Sequence, residues 1–206
     1  MPSVSPLRYP GGKGKLARFL SDTLELNQIR DGIYVEPYAG GAGAALNLLL
    51  TESCSRIIIN DIDPCLSAFW TTILTKKNLF ISRLLNTNAT IIEWRHQRNI
   101  YLKHEQHSTI KVALATFFLN RCNRSGIIST GGPIGGINQC GPWRIDARFN
   151  KRQLIRRIEK IHLYRDRISV SDMDALRFMK QTARKGKELE NMLFYFHIRL
   201  IYHRSY

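Results

Sequence analysis

A glycine-rich turn between an apolar segment and a strongly helical one constrains the fold of this chain more than any other feature. The segment Gly32–Pro37 is apolar, residues 38–43 read YAGGAG, and AALNLLL follows over 44–50. Glycine is needed where a chain turns sharply and brings its backbone close to a neighbour. A second apolar segment, Arg56–Asp61, comes next. The order strand, turn, helix, strand is a βαβ unit and predicts a parallel sheet.

The rest of the chain alternates helical patterns with two further apolar segments. Helical patterns cover residues 15–27, 76–120 and 148–164, and a helix is expected to begin near Asp63 and Pro64, because proline suits a first turn. Residues 121–146 are rich in glycine and polar side chains. Strands are predicted at Arg167–Val170 and Met192–Phe196, with a charged turn at Arg184–Lys187 between them.

These elements predict an α/β fold with a Rossmann-like sheet and a basic, mostly helical insertion. The sheet is assigned to residues 1–75 and 166–206, and the insertion to 76–165. The chain has 206 residues and 44% hydrophobic residues, enough for one folded domain with a core.

A formal net charge of +15 favours a polyanionic partner, because lysine and arginine displace counterions from phosphates. A basic surface without such a partner is the alternative, and charge alone does not separate DNA from RNA or a membrane surface. Lys and Arg number 31, against 16 Asp and Glu.

The cysteines predict free thiols, because none of the four stands in a C-x-x-C pair and no histidine lies at a zinc-like offset beside two of them. No apolar run approaches the length that spans a bilayer, and the first residues lack the apolar core of a signal peptide. We therefore expect a cytoplasmic monomer without metal and without a membrane partner.

Asp61 is a candidate ligand for ribose hydroxyls. It ends the second strand about 20 residues past the glycine turn, where Rossmann-like folds place such an acid. The alternative is that Asp61 caps the next helix. Taken together with the glycine turn, the position of Asp61 favours the ligand role. An NAD-dependent enzyme is disfavoured, since the turn is not G-x-G-x-x-G.

Five segments in order resemble the Dam-like (D12 class) adenine-N6 DNA methyltransferases. They are LRYPGGKGKL, VEPYAGGAG, IIINDID, FFLNRCNRSG with GGPIGG, and RFNKRQLIRRI. The resemblance covers nearly the whole chain. It implies S-adenosylmethionine as methyl donor, double-stranded DNA as partner, and transfer of methyl to adenine N6 on a Rossmann-like sheet with an inserted DNA-recognition region.

The resemblance also implies roles for individual residues. Cofactor contacts fall on Tyr9, Lys13, Pro37, Ala39, Gly40, Gly41, Gly43, Asp61, Ile62 and Asp172. The residue after Asp172 is Met173, where the family usually has phenylalanine. Contacts to DNA at the start of a hairpin fall on Asn120, Arg121 and Arg124, for which a solvated basic face is the alternative.

The resemblance fails after the fourth strand. Family members continue there with the catalytic motif Asp-Pro-Pro-Tyr, which holds the flipped adenine. This sequence has His197, Ile198 and Arg199 instead. A shifted reading frame could encode Pro-Pro-Tyr there, so we hypothesise a frameshift near codon 197 and an incomplete sheet. No catalytic residue is assigned, and we expect an inactive family member; a non-catalytic DNA-binding relic is the alternative.

Overall fold

A parallel sheet of four strands forms the centre of the computed structural model, which describes residues 4–9, 16–29, 31–186 and 192–194. The strands are β1 (Ile33–Glu36), β2 (Arg56–Asn60), β3 (Ile168–Ser171) and β4 (Met192–Phe194). Their order across the sheet is β3-β2-β1-β4, and each pairs in parallel with its neighbours. All four strands lie where the sequence predicted them. Residues 195–196 of the predicted fourth strand fall outside the described residues.

One helix precedes β1, and further helices lie in the connections between the strands. In chain order they are α1 (Ala17–Leu26), α2 (Gly43–Leu50), α3 (Pro64–Thr75), α4 (Lys77–Leu85), α5 (Ile91–Leu102), α6 (Thr109–Cys122), α7 (Lys151–Leu163) and α8 (Ala175–Gly186). Helix α3 begins as predicted: Pro64 is its first residue, and the Asp63 side chain accepts a hydrogen bond from the Cys65 N–H at 2.8 Å. None of the helices in the described ranges has the length and apolar character needed to cross a membrane.

The predicted charged turn at Arg184–Lys187 is wrong for its first residues, since Arg184 lies inside α8. The buried side chains of Ala175, Phe178 and Thr182 recur at the spacing of one helix face, and this face packs inward. The charges of Arg184 and its neighbours therefore mark the solvent side of a helix. Lys187 lies outside the described residues.

One hydrophobic core joins α3, next to the sheet, to the helices of the 76–165 region. The rings of Phe69 on α3 and Phe117 on α6 stack at 5.4 Å with an angle of 5° between their planes. Phe80 on α4 meets both rings edge-on, at 5.8 and 5.6 Å. All three side chains are fully buried. The proposed insertion is thus packed against the sheet region, and its boundaries at 76 and 165 stay a prediction.

The parallel order brings the carboxyl ends of β1, β2 and β3 to one edge of the sheet. In open α/β sheets ligands bind in the crevice outside this edge. The loop residues 37–42, 61–63 and 172–174 lie there, because they follow those three strands.

Candidate functional site

The loop after β1 holds Gly40 in a conformation and a position that only glycine fits. Its φ is +49°, in the left-handed region, and a β-carbon there would lie 2.8 Å from the Tyr9 ring. The Gly40 N–H donates to Asp61 Oδ2 at 2.8 Å, and the Gly40 carbonyl accepts from the Trp70 indole N–H at 3.1 Å. This peptide is therefore held by three side chains, those of Tyr9, Asp61 and Trp70.

Glu36 holds the start of the helix that follows the glycine loop. Its side chain is 1% exposed, and Oε2 accepts a hydrogen bond from the Ala45 N–H at 3.2 Å in the first turn of α2. A carboxylate is favoured at the positive end of a helix, whose first N–H groups lack partners within the helix. No role for Glu36 was predicted from the sequence.

Asn60 joins the loops that follow β1 and β3. Its side-chain amide donates to the Pro37 carbonyl at 3.0 Å and to the Met173 carbonyl at 2.9 Å. Its Oδ1 accepts from the Met173 N–H at 3.0 Å. Asn60 is 1% exposed; its bond to Pro37 is buried and its two bonds to Met173 are partly buried. This residue was not predicted from the sequence, although an amide at a strand end beside Asp61 was the available signal.

Carboxylates and an exposed apolar side chain line the edge beyond these fixed loops. Asp61 accepts from the N–H groups of Gly40 and, at 3.2 Å, Asp63, while its own N–H donates to the Ser171 carbonyl at 3.1 Å. That last bond joins the residue before Ile62 to the residue before Asp172, at the ends of neighbouring strands. Asp172 is exposed, and the Ile62 side chain is 65% exposed.

This combination suits a ligand that carries both hydroxyl groups and a flat apolar part. A carboxylate has about four acceptor sites, so one group can hold a loop and accept from a hydroxyl. An exposed isoleucine offers a surface for a ring. The edge is therefore typical of a nucleoside-binding site in an α/β protein.

The structure gathers most of the predicted cofactor residues at this edge. Pro37, Ala39, Gly40 and Gly41 form the loop after β1, and Gly43 is the first residue of α2. Tyr9 lies against Gly40, as described above. Asp61, Ile62 and Asp172 follow β2 and β3. Lys13 lies outside the described residues. Their contacts with a cofactor stay a prediction.

The predicted DNA-reading segment begins at the end of α6 and folds back as a short hairpin. Asn123 and Pro133 form an antiparallel bridge, flanked by bonds from Arg124 N–H to the Gly132 carbonyl (3.0 Å) and from Ile134 N–H to the Cys122 carbonyl (2.8 Å). Arg124 is exposed at the start of this hairpin.

Asn120 and Arg121, which the sequence assigned to DNA contacts, are bound within the protein. Asn120 is 0% exposed and hydrogen-bonds to Arg8 and Gly126. The Arg121 guanidinium donates to the carbonyls of Arg148 (2.8 Å) and Pro6 (3.4 Å). A direct contact of Asn120 with DNA would require its bonds to break, whereas the Arg121 guanidinium has further N–H donors besides the two that bind these carbonyls. The sequence alone does not distinguish a buried amide from an exposed one.

Several basic side chains lie close to Arg121. Burial first, and then the charges of Arg8 and Arg157, lower the pKa of Arg121 to about 10. The Arg157 guanidinium also donates to the Ser5 carbonyl at 3.0 Å. This concentration of positive charge next to the hairpin matches the predicted preference for a polyanion.

The cysteines are free thiols, as predicted. Burial raises the pKa of Cys54 and of Cys65 to about 12 and raises that of Cys122 as well, so these three stay protonated near neutral pH. Within the described ranges, no group of three or more His, Cys, Asp or Glu side chains is arranged to hold a metal ion.

Comparison with known families agrees with this geometry. The model of the D12 class N6 adenine-specific DNA methyltransferases matches residues 9–185. This match takes in most of the chain, and the chain therefore belongs to that family, whose members take their methyl group from S-adenosylmethionine. No curated protein matches the chain.

The Asn60 contacts predict a large stability loss for Asn60→Asp. The variant would replace a donor shared by the Pro37 and Met173 carbonyls with a second oxygen, and an unsatisfied buried group such as the Pro37 carbonyl costs about 1–3 kcal/mol. We expect the free energy of unfolding, measured by urea denaturation, to fall by about that amount or more.

Asn138→Asp is the matched control, because Asn138 is exposed. Exposed substitutions usually change stability by less than about 0.5 kcal/mol. Equal losses for the two variants would contradict the role given to Asn60.

Proposed function

We propose that this chain binds S-adenosylmethionine at the carboxyl edge of a Rossmann-like sheet and duplex DNA at the hairpin after α6, and that it does not transfer the methyl group. Binding of the cofactor is supported mainly by one observation: four predicted contact residues lie at the ends of three adjoining strands. They are Gly40, Asp61, Ile62 and Asp172. The strand order β3-β2-β1-β4 supports the Rossmann-like assignment, because the first half of that fold runs 3-2-1 before the sheet continues at strand 4.

The residues at the edge fit the parts of S-adenosylmethionine. The glycine loop, Gly40–Gly41, brings bare backbone to the methionine portion. Asp61 accepts hydrogen bonds from the two ribose hydroxyls, and Ile62 packs against the adenine ring, whose amine faces Asp172. An apolar side chain that is 65% exposed in the protein alone gains burial from such a ring. When bound, the cofactor supplies a methyl group activated by a sulfonium.

The DNA part rests on charge and on the hairpin. The net charge of +15 favours binding to phosphates, and Arg124 presents an exposed guanidinium at the first turn of the hairpin. Apolar side chains of the same glycine-rich segment are also exposed, with Trp143 at 67% and Ile137 at 45%. Aromatic side chains beside basic ones are typical of surfaces that meet nucleic acid bases.

The absence of methyl transfer follows from chemistry. In the family motif Asp-Pro-Pro-Tyr, an aspartate oxygen and a prolyl carbonyl accept from the adenine amine, so that the nitrogen lone pair faces the methyl group. The 206 residues contain no Pro-Pro pair. His197 stands where the aspartate is expected and lies outside the described residues. A protonated histidine would repel the developing positive amine, and a neutral one lacks the paired acceptors.

A non-catalytic DNA-binding protein that has also lost cofactor binding is the second candidate. The positive charges of Arg8, Arg121 and Arg157 favour it, since attraction to phosphates needs no cofactor. The two candidates differ in one property: only the first responds to S-adenosylmethionine.

The first prediction concerns the cofactor. Titration calorimetry should show the protein binding S-adenosylmethionine, and Asp61→Asn should weaken this binding about tenfold or more, since hydrogen bonds to a charged group contribute about 1.5–3 kcal/mol. The control Asp22→Asn changes an exposed aspartate on α1 and should leave the affinity unchanged. NAD in place of the cofactor should give no heat. Equal binding of NAD, or an unaffected Asp61→Asn variant, would sink the assignment.

The second prediction concerns DNA. Binding to a mixed-sequence duplex should weaken steeply with salt, and Arg124→Ala should reduce the slope of log K against log salt by about 0.9 for each phosphate that the arginine neutralises. Arg18→Ala removes an exposed arginine on α1 and serves as the control. The assignment of Arg124 fails if both variants show the wild-type slope.

The third prediction concerns catalysis. Purified protein incubated with duplex DNA and S-adenosylmethionine labelled in its methyl group should leave adenine unlabelled, because no paired acceptors hold the adenine amine. A D12 class enzyme with the intact motif is the positive control. Labelled N6-methyladenine formed by this chain would overturn the proposal.

A further inference from the structure

The side chain of Asn120 links the N-terminal segment to the hairpin. Its Oδ1 accepts from the Arg8 N–H at 2.7 Å, and its Nδ2 donates to the Arg8 carbonyl at 2.6 Å and to the Gly126 carbonyl at 3.0 Å. An amide that pairs with both backbone groups of one residue holds that residue as an adjacent strand would. Asn120 is 0% exposed; its bond to Gly126 is buried and its two bonds to Arg8 are partly buried.

The hairpin also touches Arg8 directly. Gly126 has a φ of +76°, and a β-carbon there would lie 2.7 Å from the Arg8 carbonyl oxygen. The Arg8 guanidinium donates to the Asn123 carbonyl at 3.0 Å. Because both its backbone and its side chain are bound to the end of α6 and the hairpin, Arg8 cannot shift without disturbing the hairpin.

The next residue carries the connection to the cofactor edge. Tyr9 lies with its ring against Gly40, and its Cβ would lie 3.3 Å from a β-carbon on Gly41. Ser5 and Leu7 of the same segment also line Gly41, at 3.6 and 3.8 Å from that position. The contacts thus run without a break from Gly126 through Asn120, Arg8 and Tyr9 to the glycine loop.

We propose that Asn120 is a positioning residue that couples the S-adenosylmethionine site to the DNA-binding hairpin. The inference rests on the proposed function for the identity of the two ligands. When the cofactor binds against the glycine loop, it restricts the movement of Tyr9 and therefore of Arg8. The hydrogen bonds of the Asn120 side chain then restrict the hairpin backbone as well. Since coupling between two binding sites is reciprocal, DNA on the hairpin must strengthen cofactor binding by the same factor.

Asn123 provides a matched comparison within the same helix end. It is also 0% exposed, and its amide donates to the Ile127 carbonyl at 2.7 Å while its Oδ1 accepts from the Trp94 indole N–H at 2.7 Å. Its side chain therefore supports the hairpin, as that of Asn120 does, but the hydrogen bonds of this side chain do not reach the N-terminal segment. Only the main-chain carbonyl of Asn123 does so, through the Arg8 guanidinium, and Asn123→Asp keeps that carbonyl.

The test measures S-adenosylmethionine affinity by titration calorimetry for wild type, Asn120→Asp and Asn123→Asp, each with and without a saturating mixed-sequence duplex. Wild type should bind the cofactor about fivefold or more tightly when DNA is present, within the usual range of coupling. Asn120→Asp should bind it more weakly without DNA and lose nearly all the enhancement. Asn123→Asp should keep the wild-type affinity without DNA. A thermal melt checks folding, and Asn120→Ala replaces the aspartate variant if that variant does not fold.

Hydrogen exchange of the free protein separates this inference from the proposed function. The Asn120 variant should accelerate amide exchange both in residues 124–128 and in the glycine loop 38–43, whereas Asn123→Asp should affect only the former. Failure of wild type to bind S-adenosylmethionine would refute the proposed function, while the exchange pattern would still decide whether Asn120 links the two loops. Three results would overturn the inference. Amide exchange in the glycine loop of the Asn120 variant could stay at the wild-type rate, or both variants could accelerate it equally. The third is a wild-type affinity for S-adenosylmethionine that is the same with and without DNA.

Discussion

The close approach of Tyr9 to Gly40 sets the geometry at the carboxyl edge of the sheet. A methyl group at Gly40 would come within 2.8 Å of the ring, so the N-terminal segment and the loop after β1 approach only because glycine is there. Asp61 and Trp70 hold the same peptide by hydrogen bonds, and Asn60 joins this loop to the one after β3. Three loops from distant parts of the chain thus act as one surface.

The same N-terminal segment also brings the sheet edge into contact with the hairpin after α6. Arg8 lies between the two, bound by Asn120 and pressed against Gly126. In an enzyme of this class a methyl donor and a flipped base must meet, and a shared segment is a direct way to bring their sites into register. The buried rings of Phe69 and Phe117 keep the two halves of the scaffold together beneath it.

The strands and the α/β class could be predicted from the sequence because they depend on local patterns of apolar residues. Runs such as Ile57–Ile59 mark buried strands, and the order of the segments indicated the α/β class and the family. Helix α8 was missed because the charges around Arg184 were taken for a turn, while its buried face consists only of Ala175, Phe178 and Thr182 among the described side chains.

Tertiary partners account for what the sequence did not show. Asn60 binds Met173, 113 residues away, and Asn120 binds Arg8, 112 residues away. An asparagine near arginines resembles a DNA contact in sequence, and only the fold places Asn120 inside. Most of the predicted cofactor residues, in contrast, follow consecutive strands whose carboxyl ends must meet in a parallel sheet, so the sequence was enough to place these at one edge. Their contacts with a cofactor stay a prediction.

The central claim is that the carboxyl edge of β1, β2 and β3 forms the S-adenosylmethionine site. A crystal structure of the protein with S-adenosylhomocysteine, the product form of the cofactor, tests it most directly. We expect the ribose hydroxyls on Asp61, the adenine ring against Ile62 beside Asp172, and the amino-acid portion along Gly40–Gly41. Ligand bound elsewhere on the molecule, or an edge that stays empty at saturating concentration, would contradict the claim.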